Sequence, residues 1–392
     1  MTPRVVHVAK VAGISGSENH LLLLLPALRE QGFDVELVML HEGESGAAEL
    51  ARRLEAGGVP VERVPLGSSA SPLAFRRLLG ILRSRRPDIV HTHLVHADFH
   101  GLVAGRLARV PVLASTKHGF NPFRDRRAFG LADRAVGSLA DLHIAISEGL
   151  ARYLAEREGF DVETFEIVHY GIEPGPPPAP LPGSPRLAIV GRLIPIKGHD
   201  VLLRALAAAR DDVPGITLEI AGEGALEDEL RATVSRLGLD DVVTFLGHVP
   251  DAGRVFERAE VVVVPSLGEG FGMVALEAME RGRPVIASAV GGLPEIVDDG
   301  RTGLLVPSSD ADALAAAIRG LAGDAARTAA LGAAGRERAL AEFSQARCTE
   351  RTAELYRQAL GAARLRRSRR STQQRSSANA ASSASRKSQG AR

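Results

Sequence analysis

Short apolar runs alternate with amphipathic stretches along most of the chain. Seven runs in the first half predict strands: 5–9, 35–40, 59–64, 88–92, 110–115, 142–146 and 165–168. Stretches between them, such as 47–56 and 72–83, carry apolar residues at helical spacing. Regular alternation of strand and helix is typical of a doubly wound parallel sheet, so we expect an α/β fold.

A proline-rich segment interrupts this pattern. Residues 171–185 hold seven prolines and three glycines, a composition typical of a linker. Five further runs then predict a second parallel sheet: 186–190, 216–220, 242–246, 261–264 and 284–287. We therefore expect one domain at 1–175, a linker at 176–185 and a second domain at 186–344.

Length and composition agree with two globular domains. A chain of 392 residues is too long for one ordinary core. Its single cysteine, Cys348, excludes an intrachain disulfide and a cysteine-cluster metal site. The N-terminus lacks the apolar core of a signal peptide, and Pro26 is expected to stop the leucine run at 21–25 well short of a membrane span. These features predict a cytoplasmic protein.

Charge is distributed unevenly. The net charge is +1, but residues 364–392 carry nine positive charges and no acidic residue, which leaves 1 − 9 = −8 on the remainder. This Ser-, Ala- and Arg-rich tail is predicted to be disordered. It is either a solubilising extension or a segment that contacts an anionic membrane peripherally; no nucleic acid partner is expected.

The stretch 261–277 carries the strongest candidate for binding chemistry. Four consecutive valines predict a strand that is buried on both faces, and Pro265 ends it. Glycines at 268, 270 and 272 then form a loop in which main-chain N–H groups can approach a ligand. A helix at 273–280 directs its free N–H groups and positive dipole end toward the same place, which predicts a phosphate site.

Two carboxylates extend this interpretation. Glu269 lies in the loop and Glu277 one turn into the helix, so both are expected to line one cleft and accept hydrogen bonds from sugar hydroxyls. The simpler alternative is that Glu277 complements the helix dipole and Glu269 is a solvated loop residue.

A second loop adds cations to the predicted site. Arg192 and Lys197 lie between Gly191 and Gly198, directly after the first strand of the second domain. A planar guanidinium and a mobile ammonium together can neutralise the charge that grows on a departing diphosphate. The alternative is a simple turn with two solvated cations.

These motifs, in this order, resemble family 4 retaining glycosyltransferases of the GT-B fold over roughly residues 1 to 360. The matching sequences are Glu269-Gly270-Phe271-Gly272 ending at Glu277, which fits E-x7-E, and Gly191-Arg192 with Lys197-Gly198. Gly16-Ser17-Glu18 and Lys117-His118-Gly119 resemble the first-domain glycine loop and histidine of the family. At the linker, Tyr170-Gly171-Ile172-Glu173 has Tyr where the family has Asn.

The resemblance implies two Rossmann-like doubly wound domains that face a central cleft, with a crossover helix at about 345–363. It implies four residues at the reacting centre: Glu269, Arg192, Lys197 and His118. It further implies a set that binds the donor: Glu277, Gly270, Phe271, Gly272, Met273, Val274 and Gly16. Glu277 would bind the nucleotide ribose and Glu269 the sugar hydroxyls.

The function implied is retaining, metal-independent sugar transfer. The donor is a nucleotide-diphosphate sugar, a co-substrate rather than a cofactor, and the acceptor is a hydroxyl of a glycan, a lipid-linked molecule or a small molecule. Assembly of cell-envelope or exopolysaccharide glycans is the expected setting. Two alternatives stay open: a nucleotide-sugar epimerase or hydrolase on the same fold, and a non-catalytic scaffold that binds nucleotide sugars.

Two further patterns suggest metal ligands but are interpreted otherwise. His91, His93, His96 and Asp98 follow the fourth strand, and we expect acceptor-site residues there rather than a metal centre. Asp310 and Asp312 have the spacing of a cation-binding Asp-x-Asp motif, but Ser309 before them predicts a helix N-terminus.

Overall fold

Two parallel sheets organise the chain in a computed structural model, which describes residues 2–11, 13–43, 45–67, 71–120 and 127–389. The strands of the first sheet are β1 (Arg4–Val11), β2 (Asp34–His41), β3 (Val61–Pro65), β4 (Ile89–His93), β5 (Val112–Lys117), β6 (Leu142–Ala145) and β7 (Phe165–Ile167). Their order is β3-β2-β1-β4-β5-β6-β7, and every neighbouring pair is parallel. All seven predicted strands are therefore present.

Helices cover both faces of this sheet. They are α1 (Gly16–Glu30), α2 (Ser45–Ala56), α3 (Pro72–Arg85), α4 (Val95–Leu107), α5 (Arg127–Gly137) and α6 (Glu148–Glu158). Val5 and Val6 of β1 belong to different apolar clusters and are both fully buried. Burial on both faces explains the unbroken apolar runs that mark these strands in the sequence.

The second sheet repeats the arrangement with six strands. They are β8 (Arg186–Val190), β9 (Thr217–Ala221), β10 (Val243–Gly247), β11 (Val261–Val264), β12 (Val285–Ser288) and β13 (Leu304–Val306). The order is β10-β9-β8-β11-β12-β13, again parallel throughout. The doubly wound α/β prediction is confirmed. β13 was not among the predicted strands, because three apolar residues give too short a pattern to distinguish a strand from a loop.

The helices of this half complete the second domain. They are α7 (His199–Ala209), α8 (Glu227–Arg236), α9 (Gly253–Arg258), α10 (Met273–Glu280), α11 (Leu293–Ile296), α12 (Ala311–Ala322) and α13 (Ala325–Glu342). Asp310 caps α12 by accepting a hydrogen bond from the Ala313 N–H at 2.8 Å. The structural interpretation of Asp310 and Asp312 is therefore right, although the cap is Asp310 rather than Ser309.

The last helix returns to the first domain. α14 (Gln345–Gln389) begins where Ile172 exchanges main-chain hydrogen bonds with Phe343 and Gln345, at 2.8 and 2.9 Å. Gly171 faces the Gln345 backbone so closely that a Cβ would overlap it. Buried Tyr356 and Leu360 then join the apolar cluster that contains the α1 leucines. The crossover thus packs the end of the chain against the first sheet.

α1 and α14 each continue past a feature of the sequence. Pro26, which ends the leucine run at 21–25, lies inside α1, because burial of Leu24, Leu25 and Leu28 offsets the hydrogen bond that proline cannot donate. Residues 364–389, for which disorder is predicted, continue α14 as helix. Their alanines and arginines have high helix propensity, so the helix continues beyond the last buried residue, Ala363.

None of the helices in the described ranges combines the length and the hydrophobicity that crossing a membrane requires.

Candidate active site

A cleft of about 800 Å³ lies between the two sheets, at the carboxyl ends of their strands. Ligands of doubly wound folds bind at this edge, because the loops after the strands converge there. The predicted residues that line the cleft are Gly16, His118, Arg192, Lys197, Glu269, Phe271, Gly272, Met273 and Val274. All four residues proposed for the reacting centre are thus brought together from both domains.

The loop after β11 is held in place by glycines of the next loop. A Cβ on Gly291 would overlap the Glu269 carbonyl oxygen, and Gly291 has a φ of +56°. Gly292 donates its N–H to the same carbonyl at 3.1 Å. Gly272 has a φ of +121° and turns the chain directly into α10. These contacts direct the first N–H groups of α10 into the cleft, as predicted for a phosphate site.

Lys197 and Glu269 form an ion pair in the cleft. The Lys197 Nζ lies 2.6 Å from Glu269 Oε2, and the Ser266 hydroxyl donates to the same oxygen at 3.2 Å. The turn that carries Lys197 ends at Gly198, which has a φ of +70° and packs against the Pro265 carbonyl. The close contact between Gly198 and Pro265 therefore holds the loop that carries Lys197 against the end of β11.

His118 lies at the end of β5 and reaches the cleft, but both of its ring nitrogens are already bonded. Its Nδ1 contacts the Tyr170 hydroxyl, and its Nε2 lies 2.9 Å from His93 Nδ1. Burial lowers the pKa of His118 well below 6.5, so the ring is neutral at physiological pH. His118 can donate to a sugar hydroxyl, the role implied by the resemblance, after one of these bonds opens.

Two predicted donor-site residues lie outside the main cleft. Glu277 lines a smaller cavity of about 170 Å³ together with His20, and Met273 and Tyr170 line both spaces. Burial raises the pKa of Glu277 to about 7. The two carboxylates therefore do not share one cleft, because Glu277 lies one helical turn farther from the loop, where α10 approaches α1.

Gly270 is the other predicted donor-site residue outside the cleft, and it lies at the contact between the two domains. A Cβ on Gly270 would lie 3.0 Å from the Gly119 Cα, and its carbonyl accepts the Ser147 hydroxyl at 2.6 Å. It therefore packs against the first domain rather than lining the ligand space.

The first-domain loop begins α1 with a carboxylate cap. Glu18 accepts from the Ser15 N–H at 3.1 Å and from the Ser15 and Ser17 hydroxyls at 2.5 and 3.0 Å. A Cβ on Gly16 would meet only the Met273 side chain, at 4.0 Å across the cleft. Gly16 thus faces the start of α10, as expected of a residue near the donor phosphate.

Glu295 connects the domains at another point. It accepts from the Glu148 and Gly149 N–H groups at 2.9 and 2.8 Å, where α6 begins, and lies 2.8 Å from His169 Nε2. Burial acts to raise the pKa of Glu295, but the hydrogen bonds from His169, Gly149 and Glu148 bring it below the usual value. This contact between domains depends on tertiary packing and has no local sequence signal.

Asp98 lies on the opposite face of the first sheet from His91 and His93. Asp98 accepts from Lys117 Nζ at 2.7 Å and from the Ser115 hydroxyl at 2.8 Å. His91 and His93 instead meet His7 of β1, with ligand nitrogens all within 4.8 Å. These three rings are close enough to hold a metal ion, but in this structure their nitrogens bond to one another and to neighbouring rings and hydroxyls. His7 was missed because strand register, not sequence spacing, places it opposite His91.

Comparisons with known proteins agree with this geometry. A family model described as Glycosyltransferase Family 4 matches residues 14–175, and one described as Glycosyl transferases group 1 matches residues 184–324. A D-inositol 3-phosphate glycosyltransferase of Nocardia farcinica is 31% identical over an alignment that covers 91% of this chain and 88% of that protein. The chain belongs to glycosyltransferase family 4.

Other relatives of this glycosyltransferase are similar over part of their length. The enzyme of the same description from Mycobacterium marinum is 33% identical to this chain. The alignment covers 70% of this chain and 64% of that relative. Among solved structures, Anabaena HepE with UDP and glucose superposes with a TM-score of 0.77 at 22% identity, covering 90% of this chain and 99% of HepE. Sucrose-phosphate synthase of Thermosynechococcus elongatus gives a TM-score of 0.73 at 24% identity, over 92% and 100%. These likenesses confirm the GT-B fold.

Proposed function

We propose that this glycosyltransferase moves a sugar from a nucleotide-diphosphate sugar to an acceptor hydroxyl, with retention at the anomeric carbon and without a metal ion. One observation carries the proposal: Arg192, Lys197 and the N-terminus of α10 line the cleft in which Glu269 also lies. Two cations and a helix dipole end are suited to stabilise a departing diphosphate. Glu269 is suited to accept hydrogen bonds from the sugar.

The reaction divides between the two domains. The donor binds to the second domain, and the acceptor approaches from the first, where His118 and Gly16 lie. The acceptor oxygen bonds to the anomeric carbon on the face from which the diphosphate leaves. The bond from that carbon to the phosphate oxygen breaks, and the acceptor proton passes to the leaving phosphate.

The relatives suggest which ligands to test first. HepE was solved with UDP and glucose, and the Nocardia relative is described as acting on D-inositol 3-phosphate. We therefore propose a UDP-sugar as the first donor and a phosphorylated cyclitol as the first acceptor. Lipid-linked and glycan acceptors follow, because the proposed setting is assembly of envelope glycans.

Nucleotide binding in the presence of EDTA tests the metal-free donor site. We expect UDP at about 100 times its dissociation constant to stabilise the donor domain by about 2.7 kcal/mol, which a thermal-shift assay detects. GDP and ADP are measured in parallel. A shift that appears only after Mg²⁺ is added would contradict metal independence, and the absence of any shift would contradict the donor site.

Product analysis separates the alternatives. An epimerase or a hydrolase consumes the nucleotide sugar without an acceptor, whereas a transferase needs one. A binding scaffold gives the thermal shift without turnover.

We also propose that the enzyme works at the cytoplasmic face of an anionic membrane. A groove of about 530 Å³ between α4 and α14 is lined by four arginines, Arg106, Arg109, Arg366 and Arg367, and by Asp141, which pairs with Arg366 at 2.9 Å. Leu107 and Leu365 beside them are 53% and 62% exposed. Cations flanked by exposed leucines suit a surface of acidic lipid headgroups.

Vesicle sedimentation tests this contact. Because each arginine near an anionic surface contributes about 1 kcal/mol, Arg106→Gln with Arg367→Gln is expected to weaken binding to phosphatidylserine vesicles roughly thirtyfold. The matched control, Arg52→Gln with Arg231→Gln, removes two exposed arginines from other helices. Equal losses for both pairs, or no binding by the unaltered chain, would refute the proposed surface.

A further inference from the structure

A continuous chain of hydrogen bonds runs from the cleft into the first domain. It contains three hydroxyls and four imidazoles, in the order Tyr170, His118, His93, His7, Tyr356, His91 and Thr116. The separations after the first bond are 2.9, 2.8, 3.4, 2.5 and 2.7 Å. Tyr356 belongs to the crossover helix, so the end of the chain contributes a link.

All four rings are neutral, and this determines how the bonds are directed. Burial is the main cause that lowers the pKa of His7 to about 3 and the pKa values of His91, His93 and His118 well below 6.5. A neutral imidazole has one N–H and one lone pair. Because both nitrogens of each ring are used within the chain, a ring that accepts on one side must donate on the other.

Counting protons identifies one that the chain does not use. Four rings and three hydroxyls supply seven protons, and the chain has six hydrogen bonds. The seventh proton must point out of the chain from one of the hydroxyls, since no neutral ring has a second N–H. Burial raises the pKa of Tyr170 and of Tyr356 well above 10, so both stay protonated.

The surroundings of the three hydroxyls decide which one carries that proton. Thr116, Tyr356 and Tyr170 are all buried, and among the described residues neither the Thr116 nor the Tyr356 hydroxyl has a hydrogen-bond partner outside the chain. A buried donor without an acceptor is unfavourable. Tyr170, in contrast, lines both the cleft and the neighbouring cavity, where a ligand oxygen can accept.

We infer that Tyr170 donates its hydroxyl proton to an oxygen of the bound nucleotide sugar, and that the buried histidine chain and Tyr356 hold it in that orientation. Each hydrogen bond of the chain is then donated in the direction from Thr116 toward Tyr170, and all four rings carry their proton on Nδ1. Tyr170 stands where the family motif has Asn, stacked on His20 at 4.4 Å and edge-on to Phe271 of the donor loop at 5.6 Å. His93, His7, His91 and Tyr356 are positioning residues that act through Tyr170. This inference rests on the proposed function for the identity of the ligand.

Nitrogen NMR of the whole protein with ¹⁵N-labelled histidine tests the chain without any activity. The twelve histidines are assigned through bonds to the backbone, and the ring ¹⁵N shifts show which nitrogen carries the proton. We expect His7, His91, His93 and His118 all to be neutral with the proton on Nδ1. A charged ring, or a proton on Nε2 of any of the four, would overturn the inference. A stoichiometric metal ion on His7, His91 and His93 would also overturn it, because a metal takes the lone pair that each bond requires.

A double-mutant cycle tests how the chain acts on turnover. Tyr170→Phe is expected to lower kcat/KM about tenfold to a hundredfold, the effect of one hydrogen bond to a charged or polar oxygen. Tyr356→Phe breaks the chain in the interior and is expected to lower turnover in the Tyr170 background but not in the Tyr170→Phe background.

A buried hydroxyl on the same helix provides the control. Thr352→Val removes a hydroxyl that bonds to the Cys348 carbonyl within α14, and we expect unchanged turnover in both backgrounds. Additive losses from Tyr356→Phe and Tyr170→Phe would assign Tyr356 a merely structural role and refute the coupling. If no sugar is transferred at all, the proposed function fails, while the NMR result still decides the chain.

Discussion

Replacing Lys197 by Met is expected to lower kcat by about two to three powers of ten, with a smaller change in donor KM. The methionine keeps the methylene stem, which packs near Gly191, and removes the ammonium. In the resting structure that ammonium neutralises Glu269 at 2.6 Å. In the proposed transfer it faces the diphosphate, whose charge increases as its bond to the sugar breaks, so its loss is expected to raise the energy of the transition state most.

A second ion pair provides the matched control. Lys10 lies 2.9 Å from Glu42 and is 18% exposed at its side chain, close to the 23% of Lys197, but it is not among the residues that line the cleft. We expect Lys10→Met to leave kcat within a factor of two, since exposed ion pairs contribute little. Comparable kcat for Lys197→Met and the unaltered enzyme would refute a transition-state role for Lys197. Equal losses in both variants would point to a general effect of removing a lysine.

Much of the fold was predictable because burial leaves a pattern in the sequence. The four valines of β11 have no alternation because both faces of that strand are covered, and all twelve predicted strands are present. β13 has three residues and too little pattern to recognise.

The site was predictable where chemistry is local in the chain. Glu269 and the glycines around it lie within one loop, and Arg192 and Lys197 lie within another. Their spacing in the sequence was therefore enough to predict that they line one site. Glu277 lines the smaller cavity beside the cleft, and which cavity a helical side chain faces depends on how α10 packs against α1.

The hydrogen-bond chain that begins at Tyr170 and His118 could not be predicted from spacing. His7 and Tyr356 are 349 residues apart, and strand register together with the crossover helix brings them together.

Asp98 illustrates the same limit and leads to the largest expected effect on stability. Sequence spacing places it beside His96, whereas the structure places it against Lys117 at 2.7 Å, with both side chains at most 1% exposed. The Thr92 and Ser115 hydroxyls also donate to Asp98, and Asp133 lies 3.8 Å from the same ammonium. This is a buried, hydrogen-bonded ion pair between α4 and β5.

We expect Asp98→Asn to destabilise the first domain by about 3 to 5 kcal/mol, because the buried Lys117 ammonium loses its hydrogen-bonded counterion while Asp133, 3.8 Å away, compensates it less well. Thermal unfolding should then begin roughly 10 °C lower. Asp34→Asn makes the same chemical change in a surface pair with Arg4, where both side chains are more than 40% exposed. The surface variant should lose less than about 1 kcal/mol.

Removing the second charge separates the two explanations of that loss. If the cost of Asp98→Asn arises from burying the ammonium with Asp133 as its more distant counterion, adding Lys117→Met should restore part of the lost stability, since an apolar side chain of similar length carries no charge to bury. If the double variant is instead less stable than Asp98→Asn alone, the attraction of Lys117 to Asp133 contributes more than the pair with Asp98. A loss for Asp98→Asn no larger than for Asp34→Asn would mean that Lys117 is neutral inside the domain. The three results distinguish charge imbalance at Lys117, its attraction to Asp133 and a neutral Lys117.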